Sequence, residues 1–250
     1  MVEAQTIDEQ QLNQVFKKNV FIQNLDNDLS VVELKIIDFL ISKIKPEDTS
    51  AMEYHTTFAN FYKVMGLSKS GTLKKSIIKA LRDLKQKEVV IRDEENNKTR
   101  YGSWISYFDI HDDNSVTVKL SEALEPYIIN LKEQTHYTKY YLRDISLLKS
   151  RYSILMYQLL ASHNFKAKAI LPADYIVEYF NKSDYPFYRV NDLWLKKAID
   201  EINEKTGMRV RYDVVKKGNK ASHVVFTFPT ESRRQSVQGK VPMIDWTKGE

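Results

Sequence analysis

The sequence has no cysteine among its 250 residues. A disulfide framework, a thiolate nucleophile and a cysteine-liganded zinc site are therefore excluded. The sequence also has no apolar run that approaches membrane-spanning length. Its N-terminal stretch, MVEAQTIDEQQ, is polar and acidic, unlike a secretory signal or a transit peptide. We therefore expect no membrane partner and, by default, a cytoplasmic location.

The motifs of several enzyme classes are absent as well. The sequence contains no phosphate-binding P-loop, no G-x-S-x-G elbow and no H-E-x-x-H. Its histidines are scattered, and no two have metal-ligand spacing: His55, His111, His136, His163 and His223. The paired-histidine metal motif of rolling-circle nucleases is missing. Several tyrosines could serve as nicking nucleophiles, but nothing near them would activate one. The sequence thus predicts no enzyme, no catalytic residue, no metal and no cofactor.

Positive charge is unevenly distributed along the chain. Residues 1–136 carry 18 Lys/Arg against 21 Asp/Glu, whereas residues 137–250 carry 20 against 12. Within the first half, residues 60–110 hold 11 basic against 6 acidic side chains. Each basic cluster covers a helix followed by a hairpin pattern. One such cluster alone is equally well explained as a solvated face, but two on matching scaffolds favour a nucleic-acid partner.

The segment from Tyr188 to Phe228 has the clearest local pattern. Its first part is a basic helix pattern in which apolar residues recur at helical spacing, namely Leu195, Ala198, Ile199 and Ile202. Gly207 supplies a stop. The strand-like run MRVRYDVV, the turn KKGNKAS and a second strand, HVVFTF, follow. A basic helix followed by a hairpin with a basic tip is the layout of a winged-helix DNA-binding unit.

The first half repeats this order of elements. Ser30 and Glu33 form a capping-box pattern at the start of an apolar-striped helix. Next come a strand (53–57), a helix (58–65) and a basic helix whose inward residues are Leu73, Ile77, Leu81 and Leu84. A hairpin (89–92 and 100–108) follows. Residues 136–149 are predicted to be a helical connector. We therefore predict an α+β protein with two tandem winged-helix domains.

The predicted boundaries and the predicted roles follow from this layout. They are a flexible N-terminal arm (1–19), a first domain for dimerisation and auxiliary DNA contacts (20–135), a second, main DNA-reading domain (136–229) and a polar tail (230–250).

In the second domain, the candidate DNA contacts on the helix are Tyr188, Arg189, Asn191, Lys196 and Lys197. Arg189 lies near the start of the helix, where an arginine can pair with guanine; its alternative is a surface salt bridge to Asp192. Asn191 could read adenine or cap the helix. Lys196 and Lys197 are placed for phosphate contacts. Tyr188, like Tyr185, could pack on sugars, but a hydrophobic staple at the start of the helix is the favoured interpretation.

Further candidates lie on the hairpin tip and in the first domain. The tip offers Lys216, Lys217 and Lys220 as wing contacts, with a merely soluble turn as the alternative. The parallel set in the first domain is Ser70, Thr72, Lys74, Lys75 and Lys79, for which a solvated face is an equally good explanation. Trp104 and Tyr107 fit a hairpin core or a dimer contact better than base stacking.

Two runs in the second half resemble the initiator Rep (RepB-type) family of theta-replicating plasmids. They are SLLKSRYSILMYQLL (146–160) and LKKAIDEINEKTGMRVRYDVVKKGNKASHVVFTF (195–228). The early segment LSVVELKIIDFLISKI and the aromatic hairpin around Trp104 also fit this family. The resemblance covers roughly residues 15–229, and its most specific part is the core at 201–228.

The resemblance implies a replication initiator that binds repeated sites, or iterons, in a plasmid origin as double-stranded DNA. It implies that the second domain reads the major groove and the first adds backbone contacts and the homodimer interface. Monomers would open an AT-rich segment and recruit host replication proteins such as the host initiator and helicase, and dimers would repress the protein's own gene. Relatives commonly have basic residues in the middle of the recognition helix, where this chain has Asp192 and Leu193. This departure suggests a different iteron sequence.

Two other functions remain to be distinguished. A winged-helix transcription regulator would bind a promoter palindrome and would not support replication. A nuclease or relaxase would need a metal and would cut DNA. The duplicated domain favours the initiator over the regulator, and the missing metal motifs argue against the nuclease.

Overall fold

The computed structural model describes residues 14–26, 28–45, 48, 50, 53–66, 70–131 and 137–229. The predicted tail and the first thirteen residues of the predicted arm lie outside this part. The described chain consists of helices and small antiparallel sheets, as the α+β prediction requires.

The first unit of the fold follows a short N-terminal segment. That segment comprises β1 (Gln14–Lys18), α1 (Asn19–Gln23) and β2 (Leu25–Asp26). The unit itself has the predicted order of elements: α2 (Val31–Ile41), β3 (Glu53–Thr57), α3 (Phe58–Met65), α4 (Gly71–Gln86) and β4 (Glu88–Asp93). The predicted capping box is present, because the Ser30 N–H donates to the Glu33 carboxylate at 2.6 Å and the Ser30 hydroxyl accepts from the Glu33 N–H. Gly66 ends α3 in the left-handed region (φ +66°), which favours glycine.

The predicted strand 100–108 is in fact two strands that belong to different sheets. β5 (Lys98–Ser103) pairs with β4, whereas β6 (Ile105–Ile110) pairs with β7 (Ser115–Leu120). The chain changes sheets at Trp104, whose side chain is buried and whose N–H donates to the carbonyl of Leu84 rather than to a strand. The sheets have the orders β2–β4–β5 and β3–β7–β6. At this corner the buried Trp104 ring lies against Phe21 of α1, with ring centroids 6.1 Å apart.

The structure also differs from the prediction where the N-terminal arm and the connector were placed. Residues 14–18 form β1, and β8 (Tyr137–Tyr141) pairs with it antiparallel, with Val15 opposite Tyr140. Val15 and Tyr140 are both buried, so this small sheet covers part of the core. Between β7 and β8 lies the short α5 (Glu125–Ile128), and α6 (Leu142–Leu147) follows β8. The first half of the predicted helical connector is therefore a strand.

The second unit begins at the next helix. Its elements are α7 (Arg151–Ala161), β9 (Lys168–Pro172), α8 (Ala173–Tyr179), a long basic helix, β10 (Arg211–Lys217) and β11 (Lys220–Thr227). The basic helix, residues 187–205, consists of α9 (Phe187–Val190), a π-helical turn (Asn191–Leu195) and α10 (Lys196–Lys205). The sheet has the order β10–β11–β9. Three helices with a small sheet and a terminal hairpin make a winged helix, as predicted.

A buried polar network joins the N-terminal segment to both units. The Lys17 ammonium of β1 donates to Asp38 Oδ1 of α2 at 2.6 Å. Tyr140 of β8 donates to the same oxygen at 3.1 Å, and Gln158 of α7 donates to Asp38 Oδ2 at 2.8 Å. Asp38 is fully buried. Four elements from across the chain therefore meet at one carboxylate.

Candidate nucleic-acid interface

The basic helix is positioned by one apolar stripe. Its buried residues are Val190, Leu195, Ala198, Ile199 and Ile202. The helix ends at Thr206, whose hydroxyl donates to the carbonyl of Ile202 at 2.8 Å. Because the stripe faces the core of the unit, the opposite side of the helix faces solvent along its whole length.

Residues four apart form two rows on the solvent side of this helix. One row contains Tyr188, Asp192, Lys196 and Asp200; the other contains Arg189, Leu193, Lys197 and Glu201. All except Glu201 are exposed. The outward surface therefore carries both signs of charge, with the cations toward the N-terminal and middle turns. Such a surface can contact phosphates and also discriminate among bases.

Arg189 is exposed near the start of the helix, where the sequence placed it. The salt bridge to Asp192, which was its alternative role, is not formed among the residues that the structure describes. The Asp192 carboxylate instead accepts a hydrogen bond from Asn191 Nδ2 at 3.0 Å. The guanidinium therefore remains directed to solvent, as base readout requires.

Asn191 makes contacts that the sequence did not reveal. It lies in the π-helical turn, inside the helix rather than at its cap. The Tyr212 hydroxyl of β10 donates to Asn191 Oδ1 at 2.8 Å, while Asn191 Nδ2 donates to Asp192. Reading an adenine with both ends of this amide would require these two bonds to break. The structure thus gives Asn191 a bridging position between helix, strand and Asp192.

Lys196 and Lys197 are exposed, and neither has an acidic partner among the described residues. Lys205, the last residue of the helix, differs because it donates to Glu201 Oε1 at 2.7 Å. Lys197 borders an open groove of about 390 Å³ that is also lined by Tyr152, Leu193 and Trp194. Two unpaired ammonium groups in the middle of the helix are well placed to meet phosphates.

Glu201 ties the basic helix to the start of α7. Its carboxylate accepts the backbone N–H of Lys149 at 2.9 Å and that of Ser150 at 3.2 Å. Burial alone would raise the pKa of Glu201, but the hydrogen bonds from Lys205 and from the Lys149 backbone lower it below its usual value. A charged Glu201 therefore holds the helix in place, and its carboxylate is engaged by these donors rather than by Lys196 or Lys197.

The two tyrosines before and at the start of the helix have different environments. Tyr185 packs edge-on against Trp194, with ring centroids 5.2 Å apart, and the Lys182 ammonium lies 5.0 Å from the Trp194 ring. Tyr188 is 63% exposed. The staple interpretation therefore fits Tyr185 alone, and Tyr188 remains a candidate for contact with DNA.

The β10–β11 hairpin presents a cationic tip. Gly218, at φ +62°, and Asn219 form the turn, and a bulge follows Val215. Lys216, Lys217 and Lys220 are all exposed and have no acidic partner among the described residues. Tyr212 anchors the base of the same hairpin to the basic helix through Asn191. Helix and wing thus form one continuous surface.

In the first unit, the predicted contacts are mostly engaged within the protein. Ser70 caps α4 by accepting the Leu73 N–H at 3.1 Å. Lys74 donates to Asn114 Oδ1 at 2.5 Å and lies over the Phe58 ring. Lys79 pairs with Asp83 at 2.5 Å. Thr72 and Lys75 are exposed. Of the three lysines predicted to contact DNA here, Lys75 alone has no partner among the residues that the structure describes.

No cluster of side chains suited to hold a metal ion occurs among the described residues. The same part of the chain contains no helix that is long and apolar enough to cross a membrane.

Two family models match consecutive parts of the chain. The model described as "Initiator Replication protein, WH1" matches residues 14–161, and that described as "Initiator Rep protein, WH2" matches residues 178–228. The chain belongs to the initiator replication protein family. The chain therefore contains the WH1 and WH2 domains of this family, and the resemblance found in the sequence is confirmed. The WH1 match covers the first unit and extends over α7, and the WH2 match covers the basic helix and the β10–β11 hairpin.

One solved structure has a similar fold over nearly the whole chain. The crystal structure of the Pi initiator protein in complex with iteron DNA has a TM-score of 0.73 to this initiator at 19% identity, and the match covers 87% of this chain and 97% of that one. The crystal structure of RctB domains 2-3 has a TM-score of 0.48 at 7% identity, covering 83% of both chains. The first of these likenesses confirms the fold of two winged-helix domains.

Two features of the interface were missed from the sequence. One is the Tyr212–Asn191–Asp192 chain of hydrogen bonds, and the other is the position of Lys182 over Trp194. For the hydrogen-bond chain, the sequence held one signal: the helical spacing of residues 188, 192, 196 and 200, which places Asp192 on the exposed row. The second depends on the turn before the helix, for which the sequence contains no comparable signal.

Proposed function

We propose that this initiator replicates a plasmid by binding tandem repeats, or iterons, at the plasmid origin. The WH2 domain reads each repeat with its basic helix and wing, and the WH1 domain adds contacts to the DNA backbone. The bound protein opens the origin and recruits host replication proteins. As a homodimer formed through WH1, it represses its own gene.

The observation that carries this proposal is the single surface formed by the basic helix and the wing of WH2. Arg189, Lys196 and Lys197 on the helix are exposed without acidic partners among the described residues. The three lysines of the hairpin tip extend the same cationic surface, because Tyr212 holds the hairpin against the helix at Asn191. This arrangement fits a helix in the major groove of DNA with a hairpin on the flanking DNA backbone.

Membership of the initiator family and the similar Pi initiator structure support iterons as the target. That relative is described in complex with iteron DNA. A chain with two winged-helix domains can contact DNA at two places, which fits a binding site long enough to hold both domains. Homodimerisation and recruitment of host proteins rest on the resemblance stated above. The proposal contains no catalytic step.

A replication assay in trans tests the proposal. DNA from upstream of the gene is cloned into a plasmid that cannot replicate on its own in the host, and the protein is supplied from a second plasmid. We expect replication that depends on the protein and is lost when Lys196 and Lys197 are both changed to alanine. Binding to this DNA without replication would instead indicate a winged-helix transcription regulator and would contradict the proposal.

A further inference from the structure

We propose that Asp192 is a specificity-determining residue of the WH2 domain, and that its carboxylate accepts a hydrogen bond from the exocyclic amino group of a cytosine in the major groove. This inference rests on the proposed function, because it assumes that the basic helix enters the groove. It adds a requirement for one C·G pair, at a defined position of each repeat.

The position of Asp192 on the helix is the first argument. It is exposed, and it lies in the outward row between Tyr188 and Lys196. Residues in the N-terminal turns of a recognition helix reach base edges. Asp192 is one turn from Tyr188 and three residues from Arg189, so it would be near the bases that those side chains approach.

The second argument is that Asp192 is held in position. The Tyr212 hydroxyl donates to Asn191 Oδ1 at 2.8 Å, and Asn191 Nδ2 donates to Asp192 Oδ1 at 3.0 Å. Tyr212 belongs to β10, so the carboxylate is oriented from the sheet through two hydrogen bonds. Asp192 Oδ2 makes no hydrogen bond within the part of the chain that the structure describes. An ionised carboxylate is only an acceptor, so this oxygen can receive a donor from outside the protein.

The third argument is electrostatic. A carboxylate near DNA is repelled by phosphates, and it favours binding only where a base supplies a donor. Cytosine N4 and adenine N6 are the major-groove donors, but adenine also carries the N7 acceptor beside N6, which would repel the carboxylate. Guanine O6 and N7 and thymine O4 are acceptors and would repel it as well, so cytosine is the base that a carboxylate favours. Asp192 would therefore reject wrong bases as well as recognise the right one. Lys196, one turn further on, offsets the repulsion from the backbone.

The test measures base preference position by position. Each base pair of the repeat bound by the wild type is changed in turn, and dissociation constants are measured for the wild type, Asp192→Ala and Tyr212→Phe at one salt concentration. For the wild type, we expect replacement of one C·G pair to weaken binding roughly 5- to 150-fold. For Asp192→Ala, this preference is lost at that pair and is kept at the others.

Tyr212→Phe and a third variant, Asp200→Ala, separate recognition from general charge effects. Tyr212→Phe removes the hydroxyl that orients Asn191. It should therefore partly reduce the base preference at the same pair and leave the preferences at all other pairs unchanged. Asp200→Ala removes a carboxylate two turns further along the same row and should leave the preference at that pair unchanged. Unfolding midpoints of all three variants show whether the fold is intact.

The inference is overturned if Asp192→Ala keeps every wild-type preference, or if it tightens binding to all duplexes equally, which would show repulsion without recognition. In either case repeat binding, and with it the proposed function, still stands. If the wild type cannot distinguish repeats from scrambled DNA, the proposed function and the inference both fail.

Discussion

Lys217 and Lys220 lie directly opposite each other on the two strands at the tip of the β10–β11 hairpin. Like charges at facing positions of an antiparallel pair are unfavourable. Neither lysine has an acidic partner among the described residues, and Lys216 adds a third cation beside them. The hairpin thus concentrates positive charge at some cost to its own stability, and this cost is offset when the tip lies against a polyanion.

The first prediction concerns these lysines. Lys217→Ala and Lys220→Ala should each lower the slope of log Kd against log salt by about 1, because each removes one phosphate contact. The free energy of unfolding should not fall, since each change relieves repulsion. Lys205→Ala is the matched control: Lys205 already pairs with Glu201, so the salt slope should stay the same. An equal drop in slope for the control would contradict the assignment of the wing.

The second prediction separates base readout from phosphate contact on the basic helix. Arg189→Ala should weaken binding to the specific repeat by roughly 1–3 kcal/mol and change binding to random DNA little. Lys196→Ala should weaken binding to both and flatten the salt dependence. Titrations of both variants with both duplexes check this. If the two variants lose specific and random binding alike, the orientation of the helix in the groove is wrong.

The third prediction concerns the buried network at Asp38. Asp38→Ala leaves the Lys17 ammonium buried without its carboxylate, and removal of one partner of a buried ion pair costs about 3–5 kcal/mol. Tyr140 and Gln158 also lose their acceptor. Urea unfolding measures the loss. The double variant Lys17→Met/Asp38→Leu should recover much of the stability, and a double variant as unstable as Asp38→Ala would contradict this account.

The fourth prediction is a pH dependence at Lys35. Burial lowers the pKa of Lys35 to about 8, although Glu201 nearby raises it in part. The unfolded chain therefore binds more protons than the folded one between pH 8 and the ordinary lysine pKa of 10.5. Stability from this group should rise with pH across that window, by at most about 3 kcal/mol, and should be constant below it.

Comparison with Lys35→Met isolates this contribution, because other titrating groups cancel in the difference. The free energy of unfolding of the wild type should rise relative to the variant between pH 8 and pH 10. Lys35 also donates to the carbonyl of Ser146 at 2.7 Å, so the variant is expected to have a different absolute stability. Parallel pH profiles for the two proteins would contradict the lowered pKa.

Elements with local signals were predicted well. The helix Phe58–Met65 and the strand Glu53–Thr57 have the predicted bounds, because the signals for both are local. Gly66 directly follows the helix, and exposed and buried residues alternate along the strand. The capping box at Ser30 was predicted for the same reason. The exchange of sheets at Trp104 was not, since a strand-like run of aromatic residues does not show which partner strand each half will find.

Pairing between distant segments was the main limit. β1 and β8 pair across more than a hundred residues, and neither run alone indicates the other. The site shows the same limit on a smaller scale. Exposed cations on the helix and wing could be predicted from spacing and turn chemistry, whereas the position of Asn191 depends on Tyr212, 21 residues further on. Lys74 and Lys79 of WH1 were candidates for DNA contact, but both are engaged within the protein. The partner of Lys74 is Asn114, 40 residues further on, whereas Lys79 pairs with Asp83 one helical turn later, a pair that the sequence spacing already allowed.

The most direct test of the central claim is binding to duplex DNA from immediately upstream of the gene. A scrambled duplex of the same composition serves as the control across a salt titration. The account predicts specific affinity that exceeds non-specific affinity by on the order of 10³ or more, with several evenly spaced complexes as repeats fill. Equal, salt-sensitive binding to both duplexes would contradict it.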